Sequence, residues 1–159
     1  MRLDESRRGE QTAIRHCEAR DLCPLGALCA AEESDERSPL YPTVIEVEAG
    51  ELLWADLRFE QRVFAIQSGI FVCMSNLEQG REVPLALFGR GYSTGMAELY
   101  IPREIASTYY LRALTSGRVC SFPAKALRRH LEELPSPEVA DLLSRALTNV
   151  SSASYARIK

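Results

Sequence analysis

Between Thr43 and Phe122 short runs of branched and aromatic residues alternate with turn residues. Val44, Ile45 and Val47 lead into Ala49-Gly50, and Val63-Phe64-Ala65-Ile66 runs into Ser68-Gly69. Ile70-Phe71-Val72-Cys73-Met74 is followed by Asn76 and Gly80, Pro84-Leu85-Ala86-Leu87-Phe88 by Gly89-Arg90-Gly91, and Tyr109-Tyr110-Leu111-Arg112-Ala113-Leu114 by Ser116-Gly117. The runs have the length of strands, and no long segment of helical period separates them. That pattern predicts a mainly β chain folded as an antiparallel roll or sandwich, and it argues against a parallel α/β sheet.

After Phe122 the period changes. Pro123 suits the start of a helix in which Ala126, Leu127, Leu131 and Leu134 recur at helical spacing, and Pro135-Ser136-Pro137 closes it. A second helix is expected from Ser136, a good N-cap. Pro137 stands where its missing N–H costs nothing, and Glu138 and Asp141 complement the positive end of the helix dipole. Val139, Leu142, Leu143, Ala146, Leu147 and Val150, then Ala153 and Ile158, fall in threes and fours and form an apolar seam. The seam has two readings: a homodimer interface carried by Val139, Leu143, Ala146 and Val150, or a helix packed back on its own sheet.

Residues 1–37 differ from both regions. They hold three of the five cysteines, many charges and the acidic run from Glu32 to Glu36, and Pro39 and Pro42 punctuate their junction with the first strand. The expected organisation is a cysteine-bearing arm outside the core (1–37), a β-roll domain with its following helix (38–134) and the helix that carries the seam (135–159).

A chain of 159 residues supports one well-buried domain with appendages, and 46% apolar with 26% charged residues is an ordinary globular composition. The net charge of −3 comes without a Lys/Arg cluster beyond Arg128-Arg129, which weighs against binding nucleic acid by phosphate neutralisation. No apolar run approaches the roughly 20 residues of a membrane span, and the N-terminus is not that of a leader peptide. A cytoplasmic protein with no membrane association is therefore expected, and in a reducing compartment its cysteines are thiols, metal ligands or redox groups rather than structural disulfides. No Ser/His/Asp or Cys/His pairing, phosphate-cradling loop or framed carboxylate pair is visible, so an enzyme is not expected. His16 and His130 read as surface or second-shell residues, Trp54 as core, and Cys73, inside an apolar run, as a buried thiol.

From Phe64-Ala65-Ile66-Gln67-Ser68-Gly69 onward the chain resembles the sensor β-roll of the CRP/FNR superfamily of transcription regulators. Glu78-Gln79-Gly80 looks like its hairpin turn, and Leu87-Phe88-Gly89-Arg90-Gly91-Tyr92 like its strand-and-glycine element. Gly95-Met96-Ala97-Glu98 falls at its phosphate cassette, Arg112-Ala113-Leu114-Thr115 at the strand after that, and Val119-Cys120-Ser121-Phe122-Pro123 at the entry to its helices. The resemblance covers about residues 43–159. It implies a cyclic-nucleotide-binding-like jelly roll with flanking helices and a long C-terminal dimerisation helix. It also implies DNA contact only through a helix-turn-helix domain, which is absent from this chain ending at Lys159.

Cyclic-nucleotide binders of the superfamily use a Gly-Glu pair and a later Arg-Ser pair, because a cyclic phosphate needs backbone donors and a guanidinium while a ribose hydroxyl needs a carboxylate. Here Met96 follows Gly95, and the second pair falls near Ser107-Thr108 without an arginine, which disfavours cyclic AMP. Gly95, Met96, Glu98, Ser107 and Thr108 remain the positions expected to line a pocket for another small-molecule effector.

The N-terminal segment resembles instead the oxygen-sensing branch, in which three arm cysteines and one cysteine before the post-roll helix hold an iron–sulfur cluster. The resemblance implies Cys17, Cys23, Cys29 and Cys120 as ligands of a 4Fe–4S cluster. The spacing from Cys23 to Cys29 and the Val-Cys-x-hydrophobic-Pro entry at Cys120 match; Cys17 stands six residues before Cys23, where the branch places its first cysteine at the position of Arg20. A loop can absorb that difference, since a cluster fixes sulfur positions and not the chain between them. Read as residues alone, the same cysteines also suit a thiol switch, a structural zinc site or plain apolar packing. The function this supports is the sensory domain of a CRP/FNR-type regulator responding to oxygen or redox state. Its alternatives are a small-molecule effector module and a thiol-based redox switch.

Overall fold

The computed structural model describes residues 17–32, 38–54, 56–57, 60–76, 80–96, 99 and 109–155. Among the described residues, helix α1 (Gly26–Glu32) precedes nine strands: β1 (Thr43–Val47), β2 (Leu52–Trp54), β3 (Asp56–Leu57), β4 (Glu60–Ser68), β5 (Phe71–Asn76), β6 (Glu82–Phe88), β7 (Ser93–Thr94), β8 (Tyr109–Ala113) and β9 (Gly117–Pro123). Helices α2 (Ala124–Glu133) and α3 (Ser136–Tyr155) follow. Every pairing among the described strands is antiparallel. One sheet runs β1-β9-β4-β3 with β7 also on β4, and the other runs β2-β8-β5-β6.

The period-2 alternation decides which side chains fill the roll. Val47, Phe64, Ile66 and Val119 from the first sheet meet Phe71, Cys73, Ala86, Phe88, Leu111 and Ala113 from the second. Cys73 is buried there as expected. The opposite face of the first sheet presents Val63, Ala65, Cys120 and Phe122, and a second cluster closes over it with Leu127 and Leu131 of α2 and Ala146 of α3. The far face of the second sheet carries Val72, Met74 and Tyr110. Trp54 is in β2, and its side chain lies outside the described residues.

Two expectations need correction. The arm is not outside the core: Ala19, Cys23, Leu25 and Leu28 are buried, and the last three belong to the cluster under the helices. Its apolar residues are too scattered among charges to form a periodic stripe, so burial is decided by docking and not by local pattern. The strands Leu52–Trp54, Asp56–Leu57 and Ser93–Thr94 are additions to the expected set, each too short for alternation to show.

The C-terminal seam is divided. Ala146 is only 3% exposed within the single chain, and Leu142 and Leu143 pack partly against the same cluster, while Val139 is half-buried and belongs to none. The side chain of Val150 lies outside the described residues. No described helix is long and apolar enough to cross a membrane.

Candidate functional site

All four cysteines implicated by the sequence line one pocket. Cys17, Cys23 and Cys29 form its arm side together with Ala19, Arg20 and Gly26, and Ala65, Ile66, Gln67, Cys120 and Phe122 form its sheet side.

A string of turns winds the arm around this pocket. The Arg20 N–H donates to the Cys17 carbonyl (3.2 Å), the Cys23 N–H to Ala19 (2.8 Å), and the Gly26 N–H to Cys23 (3.0 Å). The Cys29 N–H donates to Leu25 (3.0 Å), placing that thiol on the first turn of α1. The turn from Cys17 to Arg20 explains how a first cysteine three positions early still reaches the pocket: one extra turn returns the chain, and Cys17 and Arg20 line the same wall. Gly26 is required where the chain doubles back, because a Cβ there would meet the Arg20 carbonyl oxygen at 2.0 Å.

The sheet side is set by register. Cys120 of β9 pairs with Ala65 of β4, both on the outer face, and the ladder shifts between Ile66 and Ser68. Gln67 occupies that irregularity, is 7% exposed, and donates from Nε2 to Cys120 Sγ at 3.1 Å. Bulges of this kind re-aim a side chain. Sequence inspection passes over Gln67, one of two glutamines in β4 with Gln61, and nothing in the strand's own sequence sets it apart.

The pocket is hostile to uncompensated charge. Burial pushes the Cys23 thiol up to about 11, opposed by the hydrogen bond from the Leu25 backbone. Burial also drives the Cys120 thiol well above the usual range, the neighbouring Cys29 adds to this, and the Gln67 hydrogen bond partly opposes it. Both are therefore neutral thiols at neutral pH unless a cation enters. Among the described residues no three His, Cys, Asp or Glu side chains stand close enough to share one metal ion.

Between Glu18 and Leu22 the arm is held to the roll and to α3. Glu18 pairs with Arg90 at 3.6 Å across the surface, Leu22 lies on Gly91, and Arg145 Nη2 of α3 donates to the Asp21 carbonyl at 3.5 Å.

The positions considered for an effector are less coherent. Gly95 is buried with φ +91°, and Met96 is buried in the cluster beneath the helices instead of facing the inside of the roll. Glu98, Ser107 and Thr108 lie outside the described residues. His130 is half-buried on α2 and lines a separate groove with Leu131, Leu134 and Arg145.

The model of the cyclic nucleotide-binding domain family matches residues 44–133. No curated protein matches the chain by sequence. A CooA mutant from Carboxydothermus hydrogenoformans superposes with TM-score 0.58 at 15% identity, covering 87% of this chain and 84% of that one. The c-di-GMP responsive global regulator CLP of Xanthomonas campestris superposes with TM-score 0.57 at 17% identity, covering 74% of this chain and 57% of its own. The N-terminal domain of a transcriptional regulator from Streptomyces coelicolor A3(2) does so with TM-score 0.54 at 22% identity, covering 82% and 90%. The chain thus spans most of some of these molecules and little more than half of others, and the likeness is one of fold.

Proposed function

Because the chain belongs to the cyclic nucleotide-binding domain family, we propose that it is the sensory module of a CRP/FNR-type transcription regulator that reads oxygen or redox state through an iron–sulfur cluster. Cys17, Cys23, Cys29 and Cys120 are the proposed ligands. The observation that carries this reading is their convergence on one pocket from segments about a hundred residues apart.

The donor set fits such a group. Soft thiolates suit iron–sulfur clusters. A structural zinc site is favoured less, because the paired C-x2-C spacing usual for zinc is missing from Cys17, Cys23 and Cys29. Bound iron supplies the positive charge that the raised Cys23 and Cys120 thiols lack, and the protein's own residues shape and desolvate the cage. The same raised thiols count against a simple switch that starts from a reactive Cys23 or Cys120 thiolate.

The module is further proposed to act as a cytoplasmic homodimer, with Val139 on the partner face of α3 and Leu143 shared between that face and its own core. Contact with DNA would pass through a helix-turn-helix domain outside this chain. Loss of the cluster would act through the arm, which touches α3 at Arg145, by changing the balance between two arrangements of that helix.

Anaerobic reconstitution with iron and sulfide tests the reading. The expected product is brown, carries near-stoichiometric iron and sulfide, and bleaches in air. The Cys120→Ser variant is expected to stay colourless. A colourless wild type with no bound iron rejects it.

A further inference from the structure

Gln67 is buried, polar and in a strand whose outward neighbours are apolar. Burying a primary amide is costly unless its N–H groups find acceptors. Nε2 donates to the Cys120 sulfur, an acceptor that is weak as a neutral thiol and strong as a metal-bound thiolate. The strand is also built to deliver this contact: Ala65 pairs with Cys120 and Ile66 with Val119, after which the register breaks at Gln67 and resumes with Ser68 opposite Arg118. The Ile66 end of the irregularity is fixed, since the Ile66 N–H donates to the Tyr92 carbonyl (2.9 Å) and the Gly91 N–H to the Ile66 carbonyl (2.9 Å), and at the other end the Arg118 N–H donates to Ser68 Oγ (3.1 Å).

We propose that Gln67 is a positioning residue for the sulfur of Cys120, its amide N–H orienting that ligand and setting the redox poise of the bound cluster. This rests on the iron–sulfur reading above. A hydrogen bond to a ligand sulfur favours the more negative, reduced state of a cluster, and so raises its reduction potential. Removing the donor makes the cluster easier to oxidise and looser.

The test compares anaerobically reconstituted wild type with Gln67→Met, which keeps an unbranched side chain of similar length without a donor, and Gln67→Glu, which offers a carboxylate instead. The midpoint potential is expected to fall in both, further in Gln67→Glu. A ferrous chelator is expected to strip iron about tenfold more readily from Gln67→Met. Melting curves of the iron-free forms identify any variant that does not fold, and the other then decides. Folded variants with wild-type midpoint and chelator resistance overturn the assignment of Gln67 while leaving the cluster in place. A wild type that takes up no iron overturns both.

Discussion

Leu22 of the arm rests on Gly91 of the turn between β6 and β7, so closely that a Cβ on Gly91 would stand 2.5 Å from the Leu22 Cβ. Gly91 also has φ +87°, which disfavours any L side chain. Gly91→Ala is therefore expected to cost about 1–3 kcal/mol from backbone strain, and to push the arm away from the roll. Denaturant melts measure the first effect. Faster proteolytic cleavage between Cys17 and Glu32 measures the second, and unchanged cleavage would show that the arm does not depend on this contact.

The two cysteines buried on opposite faces of the roll should respond differently to serine. Cys73 lies in the dry interior among Phe71, Leu111 and Phe88, so Cys73→Ser buries a hydroxyl and is expected to cost about 1–3 kcal/mol. Its iron content after reconstitution should equal that of wild type. Cys120→Ser should lose iron instead. Equal iron in both variants would remove Cys120 from the ligand set.

On the far face of the second sheet, the Tyr110 hydroxyl donates to Glu82 Oε1, and Arg112 Nη2 donates to Glu82 Oε2 at 3.1 Å. The Tyr110 and Arg112 hydrogen bonds hold the Glu82 carboxyl below its usual range, and the Glu82 hydrogen bond holds the Tyr110 hydroxyl above its own. A lowered carboxyl stabilises the fold above its unfolded pKa and loses that contribution as pH falls through the folded value. A raised phenol stabilises below its unfolded pKa and loses it as pH rises. The network is expected to be fully effective between about pH 5 and 9. Tyr110→Phe should lower stability most inside that window and least outside it, as urea melts across pH will show; a penalty independent of pH would contradict this.

Val139 separates the two uses of α3, because it is half-buried without belonging to the core cluster that holds Ala146. Val139→Glu is expected to halve the sedimenting mass of the proposed dimer with little change in melting of the single chain. Ala146→Glu should instead unfold the chain. A dimer that survives Val139→Glu would put the interface elsewhere.

Long apolar strands such as Glu60–Ser68 and Phe71–Asn76 were legible because their cores run four or five residues and end in turn residues. Pro123 and Pro135 likewise bracketed α2. Ser93–Thr94 carries two hydroxyls and no alternation, so only its pairing with Ala65 and Phe64 makes it a strand. The four cysteines were legible by resemblance, but not the turn that brings Cys17 back, which depends on the arm docking against the sheet. Gln67 was invisible for a related reason: a bulge belongs to a pair of strands, and β4 alone contains no sign of the register break with β9.

The pocket's two walls are far apart along the chain, with Cys17, Cys23 and Cys29 on one side and Cys120 on the other. During synthesis the arm thiols leave the ribosome first. At about 5–20 residues per second, they wait for some seconds before β9 exists to face them. Three of the four proposed ligands are thus made long before the fourth, and the finished cage forms only once nearly the whole roll has been translated. On the proposed reading, iron would be loaded only after β9 has been made, and the early cysteines would have to stay reduced in the interval.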